Sequence, residues 1–340
     1  MSAKRPQDLV FTLYGEYLLH RNEPIWVGSL ISLLHPFGLS EGAVRTVLSR
    51  MARKGWLDGQ RMGRNSFYDL APKGRRLLEE GEQRILHPSW DGPWDGSWFL
   101  LAYSIPEDVR HLRDRLRDRL AWLGFGSLGN GLWISPHDVE QEVQALAEQL
   151  GIAQHLECFR AQRVGRDRPE ALVDRCWDLP GVNERYADFT RHWRPELARC
   201  ETGIRSGDVT AEECFTLRFD LIHEFRAFPL EDPYLPRSLL PERWHGGAAT
   251  ELFHTLHNLL EGPAVVHVDE HRAVVLLPQQ RERLVELADH RPVQRSCDLE
   301  AVAVIVFLLD DVHESLDLAR LRTHQHAGGL GPVPGIAGLR

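Results

Sequence analysis

Cysteine is scarce in this chain, and none of it is spaced for a framework. Cys158, Cys176, Cys200, Cys214 and Cys297 occur without a CxxC. That excludes a zinc module or disulfide scaffold built on such pairs and fits a reducing cytosol. No run approaches the roughly 18 apolar residues of a membrane helix. Met1 to Arg21 has no apolar core of a signal peptide. A cytoplasmic protein with no membrane partner is expected. The chain also lacks a Gly-rich phosphate loop, a GxSxG elbow and a Ser/His/Asp spacing worth backing, and it has no internal repeat.

What remains is ordinary globular material. The 340 residues are 43% hydrophobic and 26% charged, enough for two or three domains. The net charge of -9 hides an asymmetry. Residues 1–87 carry 13 Lys and Arg against 9 Asp and Glu, and the remainder carries 27 against 40. A basic head on an acidic body orients a protein on a polyanion and keeps the body off it.

The head contains the most informative segment. From Ser40 to Gly55, Val44, Val47, Leu48 and Met51 form one apolar stripe at the helical period. Ser40 suits the N-cap and Gly55 the stop. The opposite face carries Arg45, Thr46, Ser49, Arg50 and Arg53, side chains suited to base edges and phosphates on an element that fits the major groove. Trp56 to Leu70 then reads as a hairpin with Arg61 and Arg64 near its tip.

Taken alone, an amphipathic helix with arginines outside is usually a solvated surface helix. Three features favour DNA here. Acidic residues are nearly absent from the exposed face beyond Glu41. A partner helix, Val27 to Leu34, precedes it across Pro36-Phe37-Gly38. A basic wing follows at once. The layout is that of a winged helix-turn-helix occupying residues 1–87.

Further on, Trp98 to Ser104 reads as a strand, Pro106 to Trp122 as a charged helix, and Phe125 to Leu128 and Leu132 to Ile134 as strands around Gly129-Asn130-Gly131. His137 to Leu150 is helical and Leu156 to Val164 a last strand. The order β-α-β-β-α-β over residues 97–165 is the ferredoxin-like pattern. Residues 168–325 read as a mainly helical carboxy-terminal domain with an extension. In it Ala248 to Leu260 is a helix, Ala264 to Leu277 a hairpin, Ala301 to Leu309 a buried element and Gly328 to Arg340 a disordered tail. The fold class is α+β.

Other polar groups invite chemistry. The 17 histidines include His254 and His257 at i, i+3, but no carboxylate or cysteine lies near in sequence, and no metal site is assigned. Arg110, Arg113, Arg115, Arg117 and Arg119 alternate with Asp114 and Asp118, as on a solvated helix, with phosphate binding as the alternative. In His223-Glu224-Phe225-Arg226, Glu224 is placed to orient a structural His223. Alternatively, His223 and Arg226 face a ligand pocket, where a guanidinium would meet a phosphate or a thioester's carboxylate.

Three blocks of sequence resemble the PaaX family, bacterial repressors of phenylacetate catabolism. The first runs through Phe11-Thr12-Leu13-Tyr14-Gly15-Glu16-Tyr17, Leu34 to Ser40, Val44-Arg45-Thr46 and Leu48 to Met51. The second is Trp98 to Pro106 with Gly129 to Ile134. The third is His223 to Arg226 with Pro229, Asp232-Pro233, Leu235-Pro236, Leu239 to Pro241 and Trp244. Coverage is roughly residues 7–260, and nothing is implied beyond it. The resemblance implies a homodimeric repressor on an inverted-repeat operator of double-stranded DNA, released by an aryl-coenzyme A thioester such as phenylacetyl-coenzyme A. It implies no cofactor and no catalytic residue. Residues 97–165 also resemble small ferredoxin-like CRISPR-associated nucleases, which carry a metal-binding aspartate where this chain has Ser104. A hydroxyl is a poor ligand for Mg²⁺, so the segment reads as a dimerisation scaffold. The rival readings are a metal-dependent nuclease built on that segment and a ligand-independent activator.

Overall fold

A computed structural model describes residues 5–21, 23–86, 93–164 and 168–273. It is a mixed α+β structure with two antiparallel sheets. Pro6 opens α1 (Pro6–Leu13), which continues into a π-helical turn, Tyr14–Leu18. Next come β1 (Ile25–Trp26), α2 (Val27–Leu34), a short 3-10 turn and α3 (Glu41–Arg53). Gly38, at φ +81, turns the chain between α2 and α3. The strands β2 (Leu57–Met62) and β3 (Asn65–Leu70) form the expected hairpin. Its two-residue loop opens on Gly63 at φ +62, a conformation that favours glycine. β1 adds to β3, giving the order β1-β3-β2. Pro72 starts α4 (Pro72–Leu86).

The central segment follows the order read from sequence: β4 (Ser97–Tyr103), α5 (Arg110–Trp122), β5 (Gly126–Gly129), β6 (Leu132–Ser135), α6 (Glu140–Leu150) and β7 (Leu156–Gln162). Its sheet runs β5-β6-β4-β7, all neighbours antiparallel. Asn130 and Gly131, at φ +52 and +78, form the hairpin loop, which needs positive φ at both positions. One sheet face, with Phe99 and Leu101, packs on Leu116, Leu120, Val143 and Leu146 of the two helices. The other, with Trp98 and Ile134, packs on Leu172, Val173, Leu235 and Leu239.

The rest is helical: α7 (Pro169–Cys176), α8 (Leu179–Ser206), α9 (Ala211–Phe225), α10 (Phe228–Glu231) and α11 (Gly246–Ala273). The expected hairpin from Ala264 is overturned, because α11 continues through Ala273. The local run Val265-Val266-His267-Val268 suits a strand, but Leu256, Leu260, Ala264 and Val268 form a fully buried helical stripe. Packing of α11 on α9 decides between the two periods. Residues 274–277, 301–309 and 328–340 lie outside the described residues, as does the rest of the extension.

One core joins the ends of the chain. Leu9, Leu13, Leu30, Val47 and Met51 belong to the same buried cluster as Phe189, Phe215, Phe219, Phe253 and Leu260. Phe37, in the turn before α3, stacks on Phe219 at 3.9 Å and 23°. Such a pair contributes about 0.5–1.5 kcal/mol beyond its burial. Thus α9 and α11 hold the amino-terminal helices, although some two hundred residues separate them in sequence.

Candidate nucleic-acid interface

The apolar stripe of α3 is buried as its period predicts: Val44, Val47, Leu48 and Met51 are all 2% exposed or less. Ser40 caps the helix, its hydroxyl accepting from the Ala43 N–H at 3.3 Å. Lys54 and Gly55 end it, and Trp56 N–H returns to Met51 O at 3.0 Å, setting the hairpin directly behind the helix.

All seven predicted contact residues, Arg45, Thr46, Ser49, Arg50, Arg53, Arg61 and Arg64, are exposed. The first five span nine residues of one helix face, about 12 Å for eight rises of roughly 1.5 Å each, close to the width of a major groove. They are not equivalent. Arg45 Nε donates to Glu41 Oε1 at 2.8 Å, a pair one helical turn apart. Thr46 Oγ1 donates to Gly42 O at 2.8 Å, leaving its methyl and oxygen lone pair outward. The side chains of Arg50, Arg53, Arg61 and Arg64 have no hydrogen bond or ion pair among the described residues. Four exposed cations on one helix and its following hairpin, without internal counter-charges, are suited to phosphates or base edges.

His223 and Arg226 lie at the end of α9 against α1. His223 Nδ1 hydrogen-bonds Thr12 Oγ1 at 2.8 Å. Arg226 Nη2 stands 4.0 Å from Asp8 Oδ2, and its buried Nε has no partner among the described residues. Burial lowers the Arg226 pKa, and Asp8 opposes this. Glu224 does not orient His223; it accepts from the indole N–H of Trp193 at 3.0 Å. Neither residue lines the cavity of about 620 Å³ beside Thr190, Arg194 and His245, nor that of about 290 Å³ between Trp94, Trp98 and Pro236.

The sequence pattern missed a buried triad that ties the amino-terminal segment to α9 and α11. Glu16, in the π-helical turn, accepts at one oxygen, Oε1, from Arg218 Nε at 2.5 Å and from His257 Nε2 at 2.9 Å. All three side chains are under 9% exposed. Burial pushes the Glu16 carboxyl up, but the bonds and charges of His257 and Arg218 outweigh it and hold the group below its ordinary value. His257 is therefore committed to a carboxylate that the sequence spacing did not reveal. Among the described residues no three metal-ligating side chains come together. Arg119 departs from the solvated-helix reading of α5. Arg110 and Arg113 pair with Glu107 and Asp114 at the surface, whereas Arg119 turns inward. Ser104 is exposed after β4, its N–H donating to His155 O at 2.9 Å.

The comparisons with known proteins point to a class, a family of transcriptional regulators. Residues 5–74 match the family model of the PaaX-like protein. Residues 91–173 match that of the PaaX protein central Cas2-like domain, and residues 177–270 that of the PaaX-like protein C-terminal domain. The transcriptional repressor PaaX of Escherichia coli (strain K12) is 37% identical over 269 residues, which is 77% of this chain and 83% of that protein. The chain belongs to the PaaX family. Its fold is similar to that of the uncharacterized protein Rv0674 from Mycobacterium tuberculosis, with a TM-score of 0.50 at 23% identity, covering 79% of this chain and 99% of the other. No described helix is long and apolar enough to cross a membrane.

Proposed function

We propose that this chain is a cytoplasmic, homodimeric repressor of an aromatic-acid catabolic operon, released by an aryl-coenzyme A thioester such as phenylacetyl-coenzyme A. The observation that carries the DNA-binding reading is the set of exposed arginines on α3 and its hairpin, Arg50, Arg53, Arg61 and Arg64, that have no partner among the described residues, opposite a stripe locked into the core. Residues 1–87 act as a winged helix-turn-helix. Helix α3 enters the major groove with Arg45, Thr46, Ser49 and Arg50 towards bases, while Arg53, Arg61 and Arg64 contact phosphate or the minor groove. Arg45 must first leave Glu41, at a cost of about 0.3–0.5 kcal/mol for such an exposed pair.

Residues 97–165, with their ferredoxin-like strand order, join the protomers, and a two-fold dimer then reads an inverted repeat. Residues 168–325 supply the regulatory unit, with His223 and Arg226 as the polar anchors for the thioester. The position of these two residues supports a route for release. They sit on α9 against α1, and α9 also carries Phe219, which stacks on the turn before α3. A ligand that prefers a parted α1–α9 seam would shift the two recognition helices off their half-sites, and only that differential affinity would produce release.

The test is binding to the DNA upstream of the protein's own gene, at near-physiological salt, with and without phenylacetyl-coenzyme A. Tight sequence-specific binding abolished by the thioester is expected. Specific binding indifferent to it would keep the regulator and remove this effector, and no preference over random DNA would overturn the reading.

A further inference from the structure

A second seam, where α4, α5 and the segment after α10 meet, contains polar groups the repressor reading does not use. Both carboxylate oxygens of Glu80, Nε of Arg84 and Nη1 of Arg119 are buried there without a hydrogen-bond partner among the described residues. Glu80 and Arg84 are one helical turn apart on α4. Arg119, only 4% exposed, comes from α5. The ring of Trp122 lies 4.1 Å from the Arg84 guanidinium carbon and 6.0 Å from that of Arg119, and Tyr234 lies 5.9 Å from Arg84. Stacking satisfies a guanidinium's face and leaves its N–H groups to be met in the plane. The nearby Asp232 gives Arg84 a counter-charge but no hydrogen bond: it accepts from the Tyr186 hydroxyl at 2.8 Å and from the Tyr234 N–H at 2.7 Å.

Burying a cation without meeting its donors costs several kcal/mol. Native proteins rarely leave such donors unmet, and clustered orphans mark ordered water or an ion. Two guanidiniums in one seam favour an anion over water, because each retains its full charge at neutral pH although burial lowers both pKa values to about 10.

We propose that this seam is a binding site for an oxyanion, a phosphate or carboxylate group, held by the free N–H groups of Arg84 and Arg119. Glu80 assists. Burial raises its pKa to about 7 against the opposing charges of Arg119 and Arg76, so a protonated Glu80 donates to the same anion below that pH and the ionised group repels it above. All three sequence segments wall the site, so occupancy couples to how the central segment sits on the rest of the molecule. The site does not depend on the aryl thioester, and its test does not involve DNA.

The experiment titrates the full-length protein with inorganic phosphate and, separately, with acetate, at constant ionic strength set by chloride. Melting temperature and calorimetric heat are followed. A saturable rise with phosphate alone assigns a phosphate site, and one with acetate alone a carboxylate site. Saturation by both keeps a general oxyanion site. Arg84→Met and Arg119→Met should each weaken binding at least tenfold, and Glu80→Gln should keep binding but remove its pH dependence between about pH 6 and 8. Should Arg119→Met fail to fold, Arg84→Lys keeps the charge, loses the planar fork and should weaken binding several-fold. An unsaturable response to both anions, or affinity unchanged in Arg84→Met or Arg84→Lys, overturns the proposal.

Discussion

The seam between the amino-terminal helices and α9–α11 and the seam between α4 and α5 both bury a glutamate among arginines. In the first, Glu16 touches Arg218 and His257 directly, and its pKa falls below the ordinary value. In the second, Glu80 makes no hydrogen bond to Arg84 or Arg119 among the described residues, and burial raises its pKa to about 7. Residue type alone therefore does not set the sign of the shift. Direct contact stabilises the charge, while proximity without contact leaves desolvation dominant. The first seam is a lock carrying the candidate DNA interface. The second is a place where the molecule holds polar groups in reserve.

The largest expected effect tests that contrast. Arg218→Met leaves the buried Glu16 with His257 alone and should cost about 3–5 kcal/mol in urea unfolding. Arg84→Met removes a guanidinium whose Nε has no hydrogen-bond partner among the described residues, and should cost less than about 1 kcal/mol. Equal losses would break the comparison. Next, Phe219→Ala should destabilise by about 3–5 kcal/mol through cavity formation. Measured well below its melting temperature, it should also weaken operator binding more than binding to random DNA, since Phe37 then loses its platform; parallel losses would confine Phe219 to stability.

Arg50→Ala should weaken operator binding by about 1–3 kcal/mol and relax one base preference, whereas Arg64→Ala should weaken specific and random DNA alike. The pH response separates the seams again. Glu80, raised in the folded state, contributes most below the ordinary carboxylate pKa, and its contribution declines as pH rises towards about 7. Glu16, depressed, contributes above its unfolded pKa and loses that contribution as pH falls through the folded one. Glu80→Gln should therefore flatten the fall in stability between pH 5 and 7, by about 1–2 kcal/mol after solvent screening. An unchanged slope would remove Glu80 as its source. The smallest effect is Ser40→Ala, about 1 kcal/mol for a lost N-cap, read by thermal unfolding. A larger loss would mean that the cap, more than the α9 seam, holds α3.

Much of the interface was legible because its signals are local. The Val44 to Met51 stripe, the Ser40 cap and the positive-φ positions at Gly63 and Asn130-Gly131 each act within a few residues, and each lies where its spacing predicts. The exposure of Arg50 and Arg64 follows from the same periods. The carboxylate partner of His257 and the burial of Arg119 were not legible, for the opposite reason. The surroundings of these two residues are Glu16, more than two hundred positions from His257, and Glu80 and Arg84 of α4 beside Arg119, and neither leaves a mark on spacing.

The sequence by itself determined the bounds of α3 and its hairpin, the succession of the central strands and helices and which face of α3 is basic, because backbone preference and short-period amphipathicity reside in neighbouring residues. Only the tertiary structure decided that the two ends of the chain share one core, that α11 runs through Ala273 in place of a hairpin, and which buried charges are paired. Those outcomes depend on apolar area and hydrogen-bond geometry between segments remote in sequence, where burial energy outweighs local propensity.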